Sequence, residues 1–149
     1  MSISDDIKQK TFEDEHQKAL INLLYTYNHV IGEMNVFFKS LDITRQQYNV
    51  LRILRGQHPK PASVNLIKER MLDKMSDASR IVKRLVEKSL IKRDISLDDR
   101  RAVEISISDQ GLKMLEDTDQ QVNDFRHLIK NLSDSEAKEL NFLLDKLRG

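Results

Sequence analysis

The stretch "DISLDDRRAVEISISDQG", residues 94–111, decides the fold predicted for this chain. Residues 102–107 within it alternate apolar and polar side chains, which is the period of a half-buried β-strand. Residues 91–95 predict a first strand, so the two strands would form a hairpin. The tip between them, "LDDRR" at residues 97–101, lacks the Gly, Asn or Pro that tight hairpins favour. A tip that is longer than a sheet connection requires, and that holds two arginines, indicates a role beyond joining the strands.

Two short helices joined by a turn are predicted before the hairpin. Ser63 is placed to cap the first, residues 64–72, and residues 74–88 form the second. At about 100° per residue, the apolar face of the second helix comprises Met75, Ala78, Val82, Leu85 and Val86. Its opposite face carries Ser76, Arg80, Lys83, Arg84 and Glu87. A second helix that presents basic side chains outward is typical of a helix-turn-helix.

Apolar residues at three-to-four spacing predict further helices on both sides of this segment. One long helix is expected over residues 5–40 and another over residues 42–54. Ser108 is placed to start one more helix near the end of the chain, and Ser133 or Asp134 to start another. The prediction is therefore a mostly α-helical chain of six helices with a small β-hairpin.

This order of elements predicts two regions. Residues 41–111 form a winged helix-turn-helix domain, with the hairpin as its wing, and residues 1–40 together with residues 112–149 form a helical region. The long first helix cannot bury its apolar stripe in a small domain alone, so we expect the helical region to pair with a second copy of the chain. An intramolecular helical extension is the alternative, because the pattern of apolar residues does not show whether the surface that covers them belongs to the same chain or to a second one.

Composition excludes several kinds of site. The 149 residues include no cysteine, which removes disulfides, thiolate metal ligands and cysteine nucleophiles. The four histidines are scattered without an i, i+4 partner, so we predict no metal site and no cofactor. The chain has no run of about 18 apolar residues and no apolar leader, so we expect a cytoplasmic protein with no membrane partner.

Charge is distributed unevenly along the chain. Residues 41–101 carry 15 basic and 8 acidic side chains, residues 1–40 carry 4 and 6, and residues 102–149 carry 6 and 10. The middle is therefore basic and both ends are acidic. A basic segment is the electrostatic footprint of a polyanion such as double-stranded DNA. An ordinary solvated surface is the alternative that charge alone leaves open.

The second helix of the helix-turn-helix is predicted to enter the major groove with its N-terminal half. Ser76 and Arg80 can reach base edges there, because a guanidinium matches the O6 and N7 acceptors of guanine. Lys83 and Arg84 lie further along the same face and are expected to hold phosphates, which fix position without reading sequence. The alternative is a solvated face with ion pairs, for example between Lys83 and Glu87.

The tip of the hairpin is predicted to reach the minor groove. A narrow minor groove has an enhanced negative potential that attracts arginine, which makes Arg100 and Arg101 candidates. We expect Asp99 to accept a hydrogen bond from Arg101 and to hold its guanidinium extended. A solvated ion-pair turn without a ligand is the alternative, and it would contribute about 0–1 kcal/mol to folding.

The hairpin also resembles that of the MarR family of bacterial winged-helix regulators, which follows Asp-x-Arg, five residues, Leu-Thr, two residues and Gly. The matching residues are Asp99, Arg101, Ile107, Ser108 and Gly111, with Ile for Leu and Ser for Thr. Residues 78–93, "ASRIVKRLVEKSLIKR", are similar to the family's recognition helix and first strand. Ser89 departs from the pattern, because it stands where the family usually has a helix-ending Gly.

The resemblance implies a sequence-specific transcriptional regulator, predicted to be a repressor, that binds a pseudo-palindromic operator as a homodimer. It implies that Arg101 lies in the minor groove and the helix face around Arg80 in the major groove. Many members of the family are released from DNA by small phenolic or other lipophilic molecules. The candidate pocket residues for such an effector are Tyr25, His29, Phe37 and Tyr48. Aromatic residues at helical spacing are more often part of a core or an interface, which is the alternative.

Two other functional classes fit the sequence less well. The chain contains no Gly-rich phosphate loop, no Gly-x-Ser-x-Gly and no His-Glu-x-x-His, so we predict that it is not an enzyme. A winged helix that binds another protein and no DNA is the competing hypothesis. The outward row of basic residues on the second helix disfavours it, because protein interfaces deplete lysine at their core.

Overall fold

The computed structural model describes residues 2–149, apart from the side chains of Asn123 and Asp124. This part of the chain forms seven α-helices, a 3-10 segment at Asp124–Ile129 and one two-stranded antiparallel sheet. The helices are α1 (Ile3–Asp6), α2 (Glu15–Ser40), α3 (Arg45–Gln57), α4 (Val64–Arg70), α5 (Ala78–Glu87), α6 (Asp109–Asn123) and α7 (Asp134–Arg148), and the strands are β1 (Ile91–Ile95) and β2 (Val103–Ile107). The mostly α-helical fold with a hairpin wing is confirmed, with one helix more than the six predicted.

The chain divides into two compact units, Met1–Arg45 and Gln46–Gly149. The first unit contains α1 and α2, and the second contains the helix-turn-helix, the hairpin and the last two helices. None of the helices within the described residues is both long and apolar enough to cross a membrane.

The long helix predicted over residues 5–40 is divided in the structure, and the prediction of one helix is therefore wrong. Lys8, which follows α1, has a φ of 56°, a left-handed conformation that does not continue a right-handed helix. The carboxylate of Asp14 then caps α2 by accepting a hydrogen bond of 2.7 Å from the N–H of Gln17. The break between α1 and α2 depends on the φ of Lys8 and on the cap at Asp14, and the spacing of apolar residues predicts neither.

Helices α3, α4 and α5 supply the core of the helix-turn-helix. The N-cap predicted for α4 is confirmed, because Ser63 Oγ accepts a hydrogen bond of 3.1 Å from the N–H of Leu66. The fully buried side chains of these three helices include Val50, Leu51, Leu54, Ile67 and Leu85. Burial of each such aliphatic side chain stabilises the fold by about 1.5–3 kcal/mol. The core therefore fixes the orientation of α5, whose other face stays in solvent.

The prediction that Met75 points inward is wrong. Its side chain is 95% exposed. The reason is that α5 begins at Ala78, after the N-cap Asp77, so Met75 lies in the preceding turn and does not follow the helical spacing. The predicted helix of residues 74–88 is thus shorter at its N-terminal end.

The hairpin is fastened to the helix-turn-helix through β2. Strands β1 and β2 pair antiparallel with Ile91 opposite Ile107. In addition, the N–H of Ala62 donates to the carbonyl of Ile105 at 2.7 Å, and the N–H of Ile105 donates back to the carbonyl of Ala62 at 2.9 Å. This bridge joins the hairpin to the loop before α4, so both parts of the domain share one framework.

Helix α5 ends in a Schellman motif. The N–H of Leu90 donates to the carbonyl of Leu85 at 3.0 Å, and the N–H of Ser89 donates to the carbonyl of Val86 at 2.9 Å. Ser89 has a φ of 60°, the left-handed conformation that usually belongs to glycine at this position. The departure from the family pattern at Ser89 therefore changes the residue and keeps the cap geometry.

The start of α6 is packed directly against the end of α5. Ser108 Oγ accepts from the N–H of Gly111 at 3.0 Å, which confirms the predicted cap, and donates to the carbonyl of Ser89 at 2.7 Å. A Cβ at Gly111 would lie 2.2 Å from the carbonyl oxygen of Leu90. Glycine is required at this position because the main chain of the neighbouring segment occupies the space of a side chain.

The last helix, α7, buries none of its residues in the single chain. Ser133, one of the two residues predicted to start it, caps it in a capping box with Glu136. Its exposed apolar side chains are Leu140, Phe142, Leu143 and Leu147. Helix α2 of the first unit likewise exposes Leu20, Leu23, Leu24, Tyr25, Tyr27 and Val36. Each of the two helices thus presents apolar surface that its own unit does not cover.

Candidate nucleic-acid interface

Helix α5 carries the basic face expected from the sequence. Arg80, Lys83 and Arg84 are exposed on the helix, whereas Ser76 is half-buried in the turn before it. Arg84 donates to Glu87 at 3.1 Å, one turn away, so the ion pair on this face involves Arg84 and not Lys83. Arg80 and Lys83 have no ion-pair partner among the described residues. Their charges are therefore free to meet a ligand.

The tip of the hairpin is held by two side chains that act as turn residues. Ser96 Oγ accepts from the N–H groups of Asp98 and Asp99 at 3.3 and 3.4 Å. The carboxylate of Asp99 accepts from the main-chain N–H of Arg101 at 2.9 Å. This contact is to the backbone and not to the guanidinium expected from the sequence. The two side chains supply the local hydrogen bonds of Asx and ST turns, which explains a tip without Gly, Asn or Pro.

The arginines of the tip are exposed to solvent. Arg100 and Arg101 are exposed, and within residues 2–149 neither has an ion-pair partner. Leu97, next to them, is fully exposed. The carboxylate of Asp99 accepts from the main chain of Arg101, so the two guanidinium groups stand beside a turn whose backbone is already hydrogen-bonded.

The turn before α5 is also fixed by side chains. Asp73 accepts from the N–H of Met75 at 3.1 Å through one carboxylate oxygen and from Gln46 Nε2 at 3.3 Å through the other. The N–H of Leu72 donates to Asn49 Oδ1 at 2.9 Å. Sequence reasoning missed Asp73 and Asn49. The signal for Asp73 was its residue type, because an Asp side chain often accepts a hydrogen bond from the main-chain N–H two residues further along, as in an Asx turn.

A bidentate ion pair joins the helix-turn-helix to the helix that follows the hairpin. Arg55 on α3 donates to both carboxylate oxygens of Asp119 on α6, at 2.8 and 2.9 Å. The hydrogen bond from Arg55 lowers the pKa of Asp119, and burial opposes this shift; the positive charges of Arg55 and Arg52 lower it further. The same hydrogen bond raises the pKa of Arg55. No signal in the sequence linked these residues, which are 64 positions apart.

The four candidate pocket residues lie on two helices. Tyr25, His29 and Phe37 belong to α2, where Tyr25 and His29 are exposed and Phe37 is half-buried. The rings of Phe37 and Phe38 meet edge to face, with centroids 5.2 Å apart. Tyr48 is buried on α3, and the guanidinium of Arg52 lies over its ring and donates to its hydroxyl at 3.2 Å.

Comparison with known proteins finds similarity to one family, over the part of the chain that contains the candidate interface. The model of the MarR family matches residues 43–103. The curated relative "HTH-type transcriptional repressor IacR" of Pseudomonas putida is 25% identical over 143 residues, which cover 95% of this chain and 81% of that protein. The matched residues contain α4, α5 and the tip of the hairpin.

Two solved structures share the fold. A mutant MarR from E. coli complexed with operator DNA has a TM-score of 0.77 and 24% identity, and the match covers 93% of this chain and 99% of that one. The organohalide sensing regulator RdhR-CbdbA1625, solved with 2,4-dichlorophenol bound, has a TM-score of 0.81 and 19% identity, and the match covers 94% of this chain and 85% of that one.

Proposed function

We propose that this chain is a transcriptional repressor of the MarR family that binds a pseudo-palindromic operator as a homodimer. The support is the match of residues 43–103 to the model of that family. The relative from Pseudomonas putida carries the name of a transcriptional repressor. Binding to chromosomal DNA would place the protein in the cytoplasm, and we propose no catalytic activity for it.

The observation that carries the proposal is the set of exposed basic side chains on α5 and on the hairpin tip. Arg80, Lys83, Arg100 and Arg101 are all exposed, and none has an ion-pair partner in the described part of the chain. A folded surface that leaves its cations unpaired on a helix and a wing has the charge that phosphates require. Both elements are held by the same core, because Ala62 and Ile105 bridge the hairpin to the loop before α4.

We assign the residues by position. Ser76, in the turn before α5, and Arg80, in the first turn of the helix, face base edges in the major groove. Lys83 and Arg84, further along, hold phosphates. Arg101 and Arg100 enter the minor groove. Asp99 contributes through its hydrogen bond to the N–H of Arg101, which keeps the tip in the shape that extends both guanidinium groups.

Homodimer formation is supported by apolar surface that the single chain leaves exposed. Helix α7 buries none of its residues. Helix α2 exposes a separate row of large apolar side chains. We propose that residues 1–40 and residues 112–149 are the dimerisation region and that residues 41–111 are the DNA-binding domain. Two copies related by a two-fold axis would place two α5 helices at half-sites about one helical turn apart.

We also propose that a small lipophilic molecule releases the protein from its operator. The support is the fold shared with the regulator solved with 2,4-dichlorophenol. The candidate pocket residues are Tyr25, His29, Phe37 and Tyr48. Aromatic side chains offer a phenolic ring both apolar surface and stacking partners. Isothermal titration with 2,4-dichlorophenol, with and without Tyr48→Ala, tests this part, and equal heats for both proteins would contradict it.

The experiment that tests the main proposal is selection of bound DNA from a random double-stranded pool. We expect an inverted repeat whose half-sites lie about 10 base pairs apart, bound with an affinity that falls steeply as salt increases. Size-exclusion chromatography with light scattering should give twice the mass of the chain. If the protein retards no DNA even at low salt, the proposal is wrong and a protein-interaction module becomes the better interpretation.

A further inference from the structure

We propose that Met75 is a specificity-determining residue that packs against the 5-methyl group of a thymine in the major groove. This inference rests on the proposed function and adds to it a base preference carried by an apolar contact. The basic residues of the interface do not account for such a preference.

Met75 is exposed in a position where the chain could have buried it. Its side chain is 95% exposed, and that of Leu72 in the same turn is 86% exposed. Met71, the residue before Leu72, is 2% exposed. The core therefore buries one methionine of this segment, Met71, whereas the turn leaves the other, Met75, in solvent.

The exposure of Met75 is built into the turn. Its N–H is hydrogen-bonded to the carboxylate of Asp73, which is itself held by Gln46. The N–H of Leu72 is held by Asn49. The N–H of Ser76, after Met75, donates to the carbonyl of Asp73 at 3.3 Å. The main chain is thus hydrogen-bonded before, at and after Met75, which presents the side chain in a defined direction, as a contact residue requires.

The charge around Met75 identifies the occupant. Lys74, next to it, is exposed and donates from Nζ to the carbonyls of Lys68 and Glu69, and Arg80, five residues further along, is exposed. Asp73 and Asp77 accept from the N–H groups of Met75 and Arg80 and keep their negative charge, but the four cations of residues 73–84 outnumber these two acids. The surroundings thus favour a polyanion. An acidic protein or a lipid headgroup would meet the same cations but offers no thymine methyl group, so both become outcomes of the test.

Only one group on the major-groove edges of DNA is apolar, and that is the thymine methyl. A methionine side chain is flexible and polarizable, so it packs well against a small apolar group of variable position. Met75 lies two residues before the N-cap of α5, next to the end of the helix that is proposed to reach the bases. Contact with a methyl group there would distinguish thymine from cytosine and from uracil.

The test uses the full-length protein and the selected operator. Each thymine is replaced in turn by uracil, at symmetric positions of the half-sites, because uracil differs from thymine only by the methyl group. For the native protein we expect a loss of about fourfold in affinity per half-site at one position, the factor expected for removing one methyl group from a contact. For Met75→Ala we expect equal affinity for thymine and uracil at that position.

Leu72→Ala is the matched control, because Leu72 is an exposed apolar residue of the same turn, outside the proposed dimerisation region and with no proposed base contact. It should keep the preference for thymine. If Met75→Ala keeps the preference as well, the inference is wrong while operator binding and the proposed function stand. If the native protein shows no position that prefers thymine, the inference is also wrong. If the native protein retards no DNA at all, the proposed function itself is wrong, and this result distinguishes that case from a failure of the inference about Met75 alone.

If Met75→Ala loses retention on an acidic protein column or on anionic vesicles, yet discriminates thymine as the native protein does, the exposed methionine serves a different partner and the inference is overturned. Circular dichroism of each variant should match that of the native protein, since Met75 contributes no buried surface to the fold.

Discussion

The guanidinium of Arg55 and the carboxylate of Asp119 form two parallel hydrogen bonds, of 2.8 and 2.9 Å, between α3 and α6. The pair ties the helix-turn-helix to the helix that starts after the wing. Planar, bidentate pairing of this kind fixes orientation as well as distance. The pair therefore links the orientation of α6 to that of α3, within the unit that carries the candidate DNA interface.

The first prediction is that the contribution of Asp119 to stability depends on pH. Because its pKa is lower in the folded than in the unfolded state, the contribution is present above the ordinary value of 3.8 and is lost as pH falls through the folded-state pKa. The side chain of Asp119 is 42% exposed, so we expect Asp119→Asn to lower the free energy of unfolding by no more than about 1 kcal/mol near neutral pH. Urea unfolding at a series of pH values measures the difference.

The control for this series is Asp117→Asn, which removes the exposed i, i+4 pair with Lys113 on the same helix. We expect it to change the free energy of unfolding less than Asp119→Asn does. A difference between native protein and Asp119→Asn that grows as the pH falls below 3.8 would contradict the sign of the shift.

The second prediction concerns Gly111. A Cβ there would lie 2.2 Å from the carbonyl oxygen of Leu90 and 2.8 Å from Cγ1 of Ile107, so Gly111→Ala must displace main chain. We expect a loss of about 1–3 kcal/mol in the free energy of unfolding, as for other overpacked sites. Gly56→Ala is the matched control, because its Cβ would meet nothing within 4 Å and alanine is favoured inside a helix. Thermal unfolding that ranks Gly111→Ala as stable as Gly56→Ala would argue against the close approach.

The third prediction concerns the left-handed residue Ser89. Because glycine adopts a φ of 60° without the steric cost of a Cβ, Ser89→Gly should stabilise the fold by about 1 kcal/mol. The carbonyl of residue 89 would still accept from Ser108. Chemical denaturation measures the gain, with Ser89→Ala as the variant that keeps the Cβ and should show none. An equal gain from alanine would assign the effect to the lost hydroxyl instead.

The fourth prediction separates two roles of Asp99. If its carboxylate acts as an acceptor for the N–H of Arg101, Asp99→Ala should loosen the tip and weaken operator binding, whereas Asp99→Asn keeps an acceptor oxygen and should bind at least as tightly as the native protein. Gel retardation at fixed salt compares the two variants with Arg101→Ala, which should bind weakly with the fold intact. Equal weakening by alanine and asparagine would show that the negative charge of Asp99 matters more than its turn.

The fifth prediction concerns the two unpaired cations of α5. Arg80→Ala should cost about 1–3 kcal/mol in binding and relax the base preference at one position, whereas Lys83→Ala should weaken binding to all sequences and reduce the salt slope by about 1. Titrations of the selected operator and of base-substituted operators, at several salt concentrations, distinguish the two. A uniform loss for Arg80→Ala would make it a phosphate contact.

Local patterns were enough to predict much of the second unit. The alternation in β2, the caps Ser63 and Ser108, and the basic face of α5 were all predicted correctly from neighbouring residues. Of the two residues predicted to start the last helix, the structure selects Ser133 as the N-cap. Each of these features depends on residues within a few positions of one another, and the spacing along the chain reports them directly. The resemblance of residues 78–111 to one family added the arrangement of these parts.

Other features depend on residues that only folding brings together. The requirement for glycine at 111, the pairing of Arg55 with Asp119 and the bridge from Ala62 to Ile105 join segments that are 21 or more positions apart. The burial of Met75 could not be predicted from neighbouring residues either. It depends on where α5 begins, because only residues within the helix follow the spacing that turns a side chain toward the core. Hydrophobic spacing specifies the kind of element and its buried face; the closest contacts between elements follow from packing, which has no periodic trace along the chain.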